Sequence, residues 1–145
     1  MCGRGKVADM RRLLLVGCVL AGAPGCPSEP PPACKTVDTM CQPGYVPTFP
    51  NVYANTIKGS CGTKDSSCHS SSGRAGGLSM ATMDEAYANL LMLGRVKPGD
   101  PSCSKMIVRT NSPGKDYQMP PGDPLTPQEQ CALIQWVQID RKSVV

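Results

Sequence analysis

The chain has 145 residues, of which 18% are charged and 4% aromatic, and its formal net charge at pH 7 is +4. This length suits one modest domain. Residues 1–25 hold Arg4, Lys6, Arg11 and Arg12 against Asp9, so they contribute +3 of that charge and the remainder carries only +1. A chain with so little remaining charge and no basic stripe is not expected to bind nucleic acid.

An export signal is predicted for residues 1–25. Two arginines precede an apolar run that ends near residue 23, a run with the length of a signal-peptide core and too short to span a membrane. It is followed by Pro24-Gly25-Cys26, which resembles a bacterial lipoprotein cleavage site. We favour Cys26 as the lipidated residue, with Cys18 as the alternative. A third interpretation is a plain secretory signal in which the cysteine is incidental. The protein is therefore expected to be exported and membrane-anchored, in the periplasm or at the outer membrane.

Residues 26–50 are predicted to form a proline-rich tether with a local disulfide. Pro27-Ser28-Glu29-Pro30-Pro31-Pro32 has no apolar periodicity and is typical of an extended, semi-rigid spacer. Cys34 and Cys41 follow, with six residues between them. Because thiols of exported proteins tend to be oxidised, a disulfide between these two is the economical prediction.

The only histidine, His69, directly follows Cys68. A Cys-His pair is the second half of the C-x-x-C-H haem attachment signature, in which two thiols form thioethers and the imidazole ligates the iron. The first half is altered here, since Asp65 stands where the first thiol should be and Cys61 is the nearest upstream cysteine. Two readings remain open: Cys68, alone or with Cys61, attaches a haem, or the two thiols form a disulfide.

Two helices are predicted on either side of a glycine-rich loop. Asn51 is expected to cap the first helix, and Thr82 with Glu85 forms a capping box for the second, which ends at Gly94. The apolar run Lys105–Arg109 is ambiguous in type. The residues expected to face inward are Val52, Tyr53, Ile57, Met83, Ala86, Tyr87, Leu90, Leu91 and Leu93.

The last helix has the clearest predicted start. Thr126 is the N-cap, Pro127 occupies the first helical position and Glu129 completes a capping box. Cys131 lies in this helix, from which it could reach Cys103. The predicted buried face consists of Ala132, Leu133, Trp136, Val137 and Ile139.

The order of these features resembles the class I cytochrome c fold, and more closely the cytochrome c-like domains of bacterial lipoproteins that carry Met-Pro-Pro-Gly before the last helix. The resemblance extends from Val52 to Ile139. It implies a small all-α domain with long loops at residues 51–140, followed by a tail at 141–145. The residues that carry it are Cys68-His69, Tyr87-Ala88-Asn89-Leu90, Pro101-Ser102, Ile107-Val108-Arg109, Met119-Pro120-Pro121-Gly122, and Ala132-Leu133-Ile134 with Trp136.

The resemblance implies single-haem electron transfer with haem c as the cofactor and His69 and Met119 as axial ligands of the iron. Cys68 and Cys61 would then hold the haem, and the protein would be a monomer that exchanges electrons with a redox partner protein. The haem would also enlarge the apolar core of a domain that has a single Phe and a single Trp.

Two other readings stay open. One is a haem-free binding or structural lipoprotein domain held by the disulfides Cys34–Cys41, Cys61–Cys68 and Cys103–Cys131. The other is a copper site formed by His69, Met119 and a thiol, since such ligands suit copper. Enzymatic activity is not expected, because the hydrolase motifs G-x-S-x-G and H-E-x-x-H are absent.

Overall fold

The computed structural model describes residues 30–62 and 68–140. Within these residues the fold is all-α with long loops and without strands, so the predicted fold class is confirmed. The predicted signal peptide, the lipidation candidates Cys18 and Cys26, the position of Asp65 and the tail at 141–145 lie outside the described residues. None of the helices described is long and apolar enough to cross a membrane.

The described residues contain four α-helices, one π-helix and one short 3-10 helix, joined by loops. The first α-helix starts after Thr48, with Pro50 in its first turn, so the prediction that Asn51 caps it is wrong. Proline at this position needs no backbone N–H partner and has a helical φ already. The elements are α1 (Phe49–Val52), which runs directly into the π-helix (Tyr53–Gly62), a 3-10 turn (Ala75–Gly77), α2 (Met83–Met92), α3 (Lys105–Thr110) and α4 (Pro127–Ile139).

The predicted helix starts at Thr82 and Thr126 are confirmed by their hydrogen bonds. Thr126 Oγ1 accepts from the Glu129 backbone N–H at 3.3 Å, and the Glu129 carboxylate accepts from the Thr126 N–H at 2.9 Å. Thr82 Oγ1 likewise accepts from the Glu85 N–H. After α2 the chain turns at Gly94 with φ of 59°, a conformation that glycine adopts without strain. The ambiguous run after residue 104 is helical and forms α3.

One hydrophobic core lies between α4 and the other helices. Val52, Ile57, Leu90 and Leu133 are fully buried there. The Phe49 ring contacts the Trp136 and Tyr87 rings and joins α1 to α4 and α2. The predicted inward positions Met83, Leu93 and Ile139 are 39%, 43% and 60% exposed, because they stand at or just beyond helix ends, outside the packed turns.

Residues 30–48, here called the N-terminal strap, lie against the helical domain. Cys34 is bonded to Cys103 and Cys41 to Cys131. The predicted pairs Cys34–Cys41 and Cys103–Cys131 are therefore wrong, although all four cysteines are in disulfides. Spacing along the chain favours local loops, but the strap passes α3 and α4 and places each of its cysteines beside a helix. From Cys34 onward the predicted tether is joined covalently to the domain.

Hydrogen bonds align the strap with α3. The Lys35 backbone N–H donates to Ser102 O at 2.8 Å, just before α3. The Lys35 ammonium donates to Asn111 O and to Ser112 Oγ, just after α3. One strap residue thus contacts both ends of α3, and this short helix, which supplies part of the site described below, is held in place by the strap and its disulfide.

Candidate functional site

A cavity of about 350 Å3 lies between the end of the π-helix, the loop from Cys68 to Met80, α2, α3 and the segment at residues 119–121. Cys61, Cys68, His69 and Met119, the four residues predicted to hold a haem, all line it. The wall is mainly apolar, and the volume lies in the range of small-molecule sites. The other residues that line the cavity are Ser60, Ala75, Gly76, Leu78, Met80, Leu90, Arg95, Lys105, Met106, Arg109, Thr110, Pro120 and Pro121.

His69 is held in one tautomer by its surroundings. Its Nδ1 lies 3.2 Å from Leu78 O, and because a carbonyl oxygen only accepts, Nδ1 carries the proton and donates it to this bond. In the neutral ring the lone pair is then on Nε2. An imidazole whose second nitrogen donates to a backbone carbonyl is the usual arrangement of a metal-ligating histidine.

The backbone at residues 78–81 supports His69 through hydrogen bonds to its ring and its main chain. The Met80 N–H donates to His69 O at 2.7 Å. The Tyr53 hydroxyl, from the π-helix, donates to Ala81 O at 2.8 Å, and the Asn89 amide, from α2, donates to Ser79 O at 2.9 Å. The histidine is thereby tied to two helices through one buried segment.

Gly62, the last residue of the π-helix, lies directly against this segment. A Cβ built on Gly62 would be 2.3 Å from Met80 O, whereas one on Gly59, in the same helix, would meet nothing within 4 Å. π-Helical turns are frequent at functional sites, and here the turn ends where its backbone touches the support of His69. Only glycine permits this contact.

We expect Gly62→Ala to destabilise the protein by about 1–3 kcal/mol, the usual cost of overpacking, because the Met80 carbonyl belongs to a backbone that cannot simply rotate away. The matched control Gly59→Ala should be neutral or slightly stabilising, since alanine restricts the unfolded chain. Urea denaturation of both variants measures the difference. Equal stabilities for the two variants would contradict this role of Gly62.

Cys61 and Cys68 are both free thiols, so the predicted Cys61–Cys68 disulfide is not formed. Cys61 packs against the hydrophobic core at the end of the π-helix, whereas Cys68 is exposed. Burial, with a smaller contribution from the negative charge of Glu129, raises the pKa of the Cys61 thiol from 9.0 to about 12. The two thiols at the cavity therefore differ strongly in environment.

At pH 8 we expect iodoacetamide to alkylate Cys68 at least about tenfold faster than Cys61, because the thiolate is the reactive form and Cys61 is almost entirely protonated. The Cys61 rate should rise with pH throughout the range below 12, since its thiolate fraction keeps growing until pH reaches the pKa. Mass spectrometry of timed, haem-free samples resolves the two sites. Equal rates at both cysteines would contradict the raised pKa of Cys61 and its partial burial.

In the part of the chain that the structure describes, three thioethers line the cavity: Met80, Met106 and Met119, of which only Met119 was predicted. Met80 is 3% exposed and is joined to the His69 backbone. Met106 lies in α3, and the Met119 N–H donates to Arg109 O at the end of α3. No local signal marks Met80 or Met106 as cavity residues, because each reaches the cavity only through the packing of its segment.

Among the described residues, three basic side chains also line the cavity: Arg95, Lys105 and Arg109. Lys105 and Arg109 are four residues apart on α3 and so share one helix face. That spacing is visible in the sequence, but it becomes informative only once the run is known to be helical. In the described residues no group of three or more His, Cys, Asp and Glu side chains is placed to hold a metal ion; the alternative copper site, which consists of His69, Met119 and one thiol, is of a different kind and stays a hypothesis.

A family model described as Planctomycete cytochrome C matches residues 66–123. The match includes Cys68, His69, Met119 and most of the cavity wall, but neither Cys61 nor α4. It supports a cytochrome c-like domain in this chain, in agreement with the all-α fold. No match was found among the curated proteins or among the solved structures.

Proposed function

We propose that the protein is a single-haem electron carrier in which His69 and Met119 are the axial ligands of the iron and Cys68 attaches the haem. The observation that carries the proposal is the meeting of Cys68, His69 and Met119 in the wall of one mainly apolar cavity, within the region that matches a cytochrome family. The residues fit the group, since imidazole and thioether are the axial ligands in cytochromes c and cysteine thiols attach the porphyrin. When bound, the haem supplies a one-electron redox couple.

The chain's own contribution begins with a fixed imidazole. The hydrogen bond from Nδ1 to Leu78 O leaves Nε2 as the donor atom and fixes the orientation of the ring. Because Leu78, Ser79 and Met80 are buried and bonded to two helices, His69 has little freedom to reorient when the charge at the site changes. A rigid ligand of this kind suits rapid electron exchange.

Met119 is proposed as the second ligand because its segment has the better support for a fixed sulfur atom. Met119 directly precedes Pro120 and Pro121, which restrict the backbone. The neighbouring Gln118 makes two further hydrogen bonds: its side-chain amide donates to Pro120 O, and its side-chain oxygen accepts from the Gly114 N–H. Met80, in contrast, is bonded through its backbone to His69 itself and belongs to the histidine's own segment.

Cys68 is proposed as the principal attachment residue. It is exposed and adjacent to His69, as the second thiol of an attachment signature should be. Cys61 also lines the cavity, yet it is only partly exposed and its raised pKa keeps the thiol protonated. The free state of both thiols in the structure is what attachment requires, and it gives no support to the alternative of a haem-free domain closed by a Cys61–Cys68 disulfide.

The proposal is tested by an absorption spectrum of the mature protein expressed in a host with c-type haem maturation, followed by a pyridine haemochrome assay. A Soret band is expected, with the red-shifted α-band of a single thioether if Cys68 acts alone. The two-thioether position would mean that Cys61 also attaches the haem. A folded but colourless protein would contradict the proposed function and favour a haem-free binding or structural domain.

The proposal also includes export and lipid anchoring, with a redox partner protein at the membrane surface and the carrier acting as a monomer. This part is supported by the sequence of residues 1–26 alone. Cell fractionation and mass spectrometry of the mature N-terminus provide the test: a diacylglyceryl modification on Cys26 is expected, and Cys26→Ala should release the protein into the soluble exported fraction. A modified Cys18 or an unmodified N-terminus would contradict the assignment to Cys26.

A further inference from the structure

The cavity combines an apolar wall with an excess of positive charge. Arg95, Lys105 and Arg109 contribute side chains to it, and no acidic residue is among the described residues that line it. A cation in an apolar environment is costly unless it is paired. Arg95 and Arg109 are partly buried and Lys105 is exposed, so the cost falls mainly on the two arginines, and three cations that line one cavity favour an occupant that carries negative charge.

Arg95 gives the most specific evidence. Its Nη2 donates to Gly76 O at 2.8 Å, which holds the guanidinium in position. Its Nε is buried and has no hydrogen-bond partner. A buried donor without a partner is uncommon and costs about 1–3 kcal/mol. Nε is enclosed in this conformation, so a small shift of the side chain toward the cavity would be needed for an acceptor oxygen of an occupant to reach it and remove this cost.

Arg109 is also oriented by the chain, since its Nη1 donates to Tyr117 O at 3.4 Å. Lys105 is one turn earlier on the same helix face. Within the described residues, both arginine side chains donate hydrogen bonds to backbone carbonyls. These bonds orient the guanidinium groups without neutralising their charge. Guanidinium groups held in this way suit carboxylates, because charge-assisted hydrogen bonds to carboxylates are stronger than neutral ones.

We propose that Arg95, assisted by Lys105 and Arg109, binds the carboxylate groups of the cavity's occupant, so that the site selects an acidic porphyrin over a neutral one of the same shape. This inference rests on the proposed function and adds the residues that recognise the acidic side of the ligand. With a single attachment cysteine, these contacts provide a second means of holding the porphyrin, on groups remote from Cys68.

The test compares the binding of iron mesoporphyrin IX with that of its dimethyl ester. Both lack vinyl groups, so neither reacts with cysteine, and they differ only in their carboxylates. The mature chain, produced without haem and with its disulfides oxidised, is titrated with each while the Soret band is recorded. We expect the acid to bind roughly 10- to 100-fold more tightly than the ester, as hydrogen bonds to charged groups would provide.

Arg95→Gln should reduce this acid-to-ester ratio by about tenfold, and Arg95→Lys, which keeps the charge but loses Nε, should lie between the two. Lys97→Gln, at an exposed position two residues away, is the matched charge control and should leave the ratio unchanged. Because each ratio compares two ligands on one variant, a general loss of stability cancels.

Two results would overturn the inference, and they are distinguishable from failure of the proposed function. Equal binding of acid and ester to the unsubstituted chain, or an unchanged ratio in Arg95→Gln, contradicts carboxylate recognition, while a low-spin spectrum with both porphyrins leaves the haem site intact. The absence of any Soret change with either porphyrin contradicts the proposed function itself, and the inference with it.

Discussion

Replacing Met119 by alanine should lower the midpoint potential of the haem-loaded protein by an amount on the order of 100 mV or more, since the axial ligand is a principal determinant of haem potential. Loss of the thioether removes a soft ligand that favours the reduced iron. The spectrum should change from low-spin His/Met to that of a site with a water or a different ligand. Potentiometric titration followed by absorption spectroscopy measures both effects.

Met106→Ala is the matched control, because Met106 also lines the cavity and is only partly buried. It should leave the axial ligation unchanged and shift the potential little. A normal spectrum in Met119→Ala together with an altered one in Met106→Ala would mean that Met106 is the ligand. Circular dichroism of both variants separates a change of ligand from a loss of fold.

Removing either disulfide should cost about 4 kcal/mol of stability, because each closes a long loop. The bonded cysteines are 69 and 90 residues apart in the chain, and the entropy that such a loop removes from the unfolded chain corresponds to roughly 4–5 kcal/mol. Domains of this size are stable by only about 5–15 kcal/mol. Loss of both disulfides should therefore leave the protein largely unfolded.

Double Cys→Ser variants test the connectivity at the same time. Cys34→Ser with Cys103→Ser removes one disulfide and should cost about 4 kcal/mol, whereas Cys34→Ser with Cys41→Ser breaks both and should cost about 8 kcal/mol. The local pairing expected from spacing predicts the reverse order. Cys68→Ser is the matched control, since this exposed thiol is free, and it should change the stability by less than about 0.5 kcal/mol. All variants are compared by urea denaturation of haem-free protein.

Helix starts and the principal site residues could be predicted because their signals are local. The capping box at Thr126 and Glu129 is confirmed, since both hydrogen bonds join residues three apart. His69 is predicted from the adjacent Cys68, whereas Met119 is implied by the resemblance to cytochrome c-like domains that carry Met-Pro-Pro-Gly, and the structure places both in one cavity. Asn51 is not the N-cap, because the helix begins two residues earlier, at Phe49, with Pro50 in its first turn.

The sequence by itself predicted the all-α class, which is confirmed, and a candidate haem site of Cys61, Cys68, His69 and Met119. Only the tertiary structure decided which cysteines are bonded, because disulfide partners depend on how the strap passes α3 and α4 and not on spacing along the chain. It also brought Arg95, Met80 and the basic face of α3 to the same cavity. These residues are distant in sequence, and nothing in their own neighbourhoods encodes the packing that unites them.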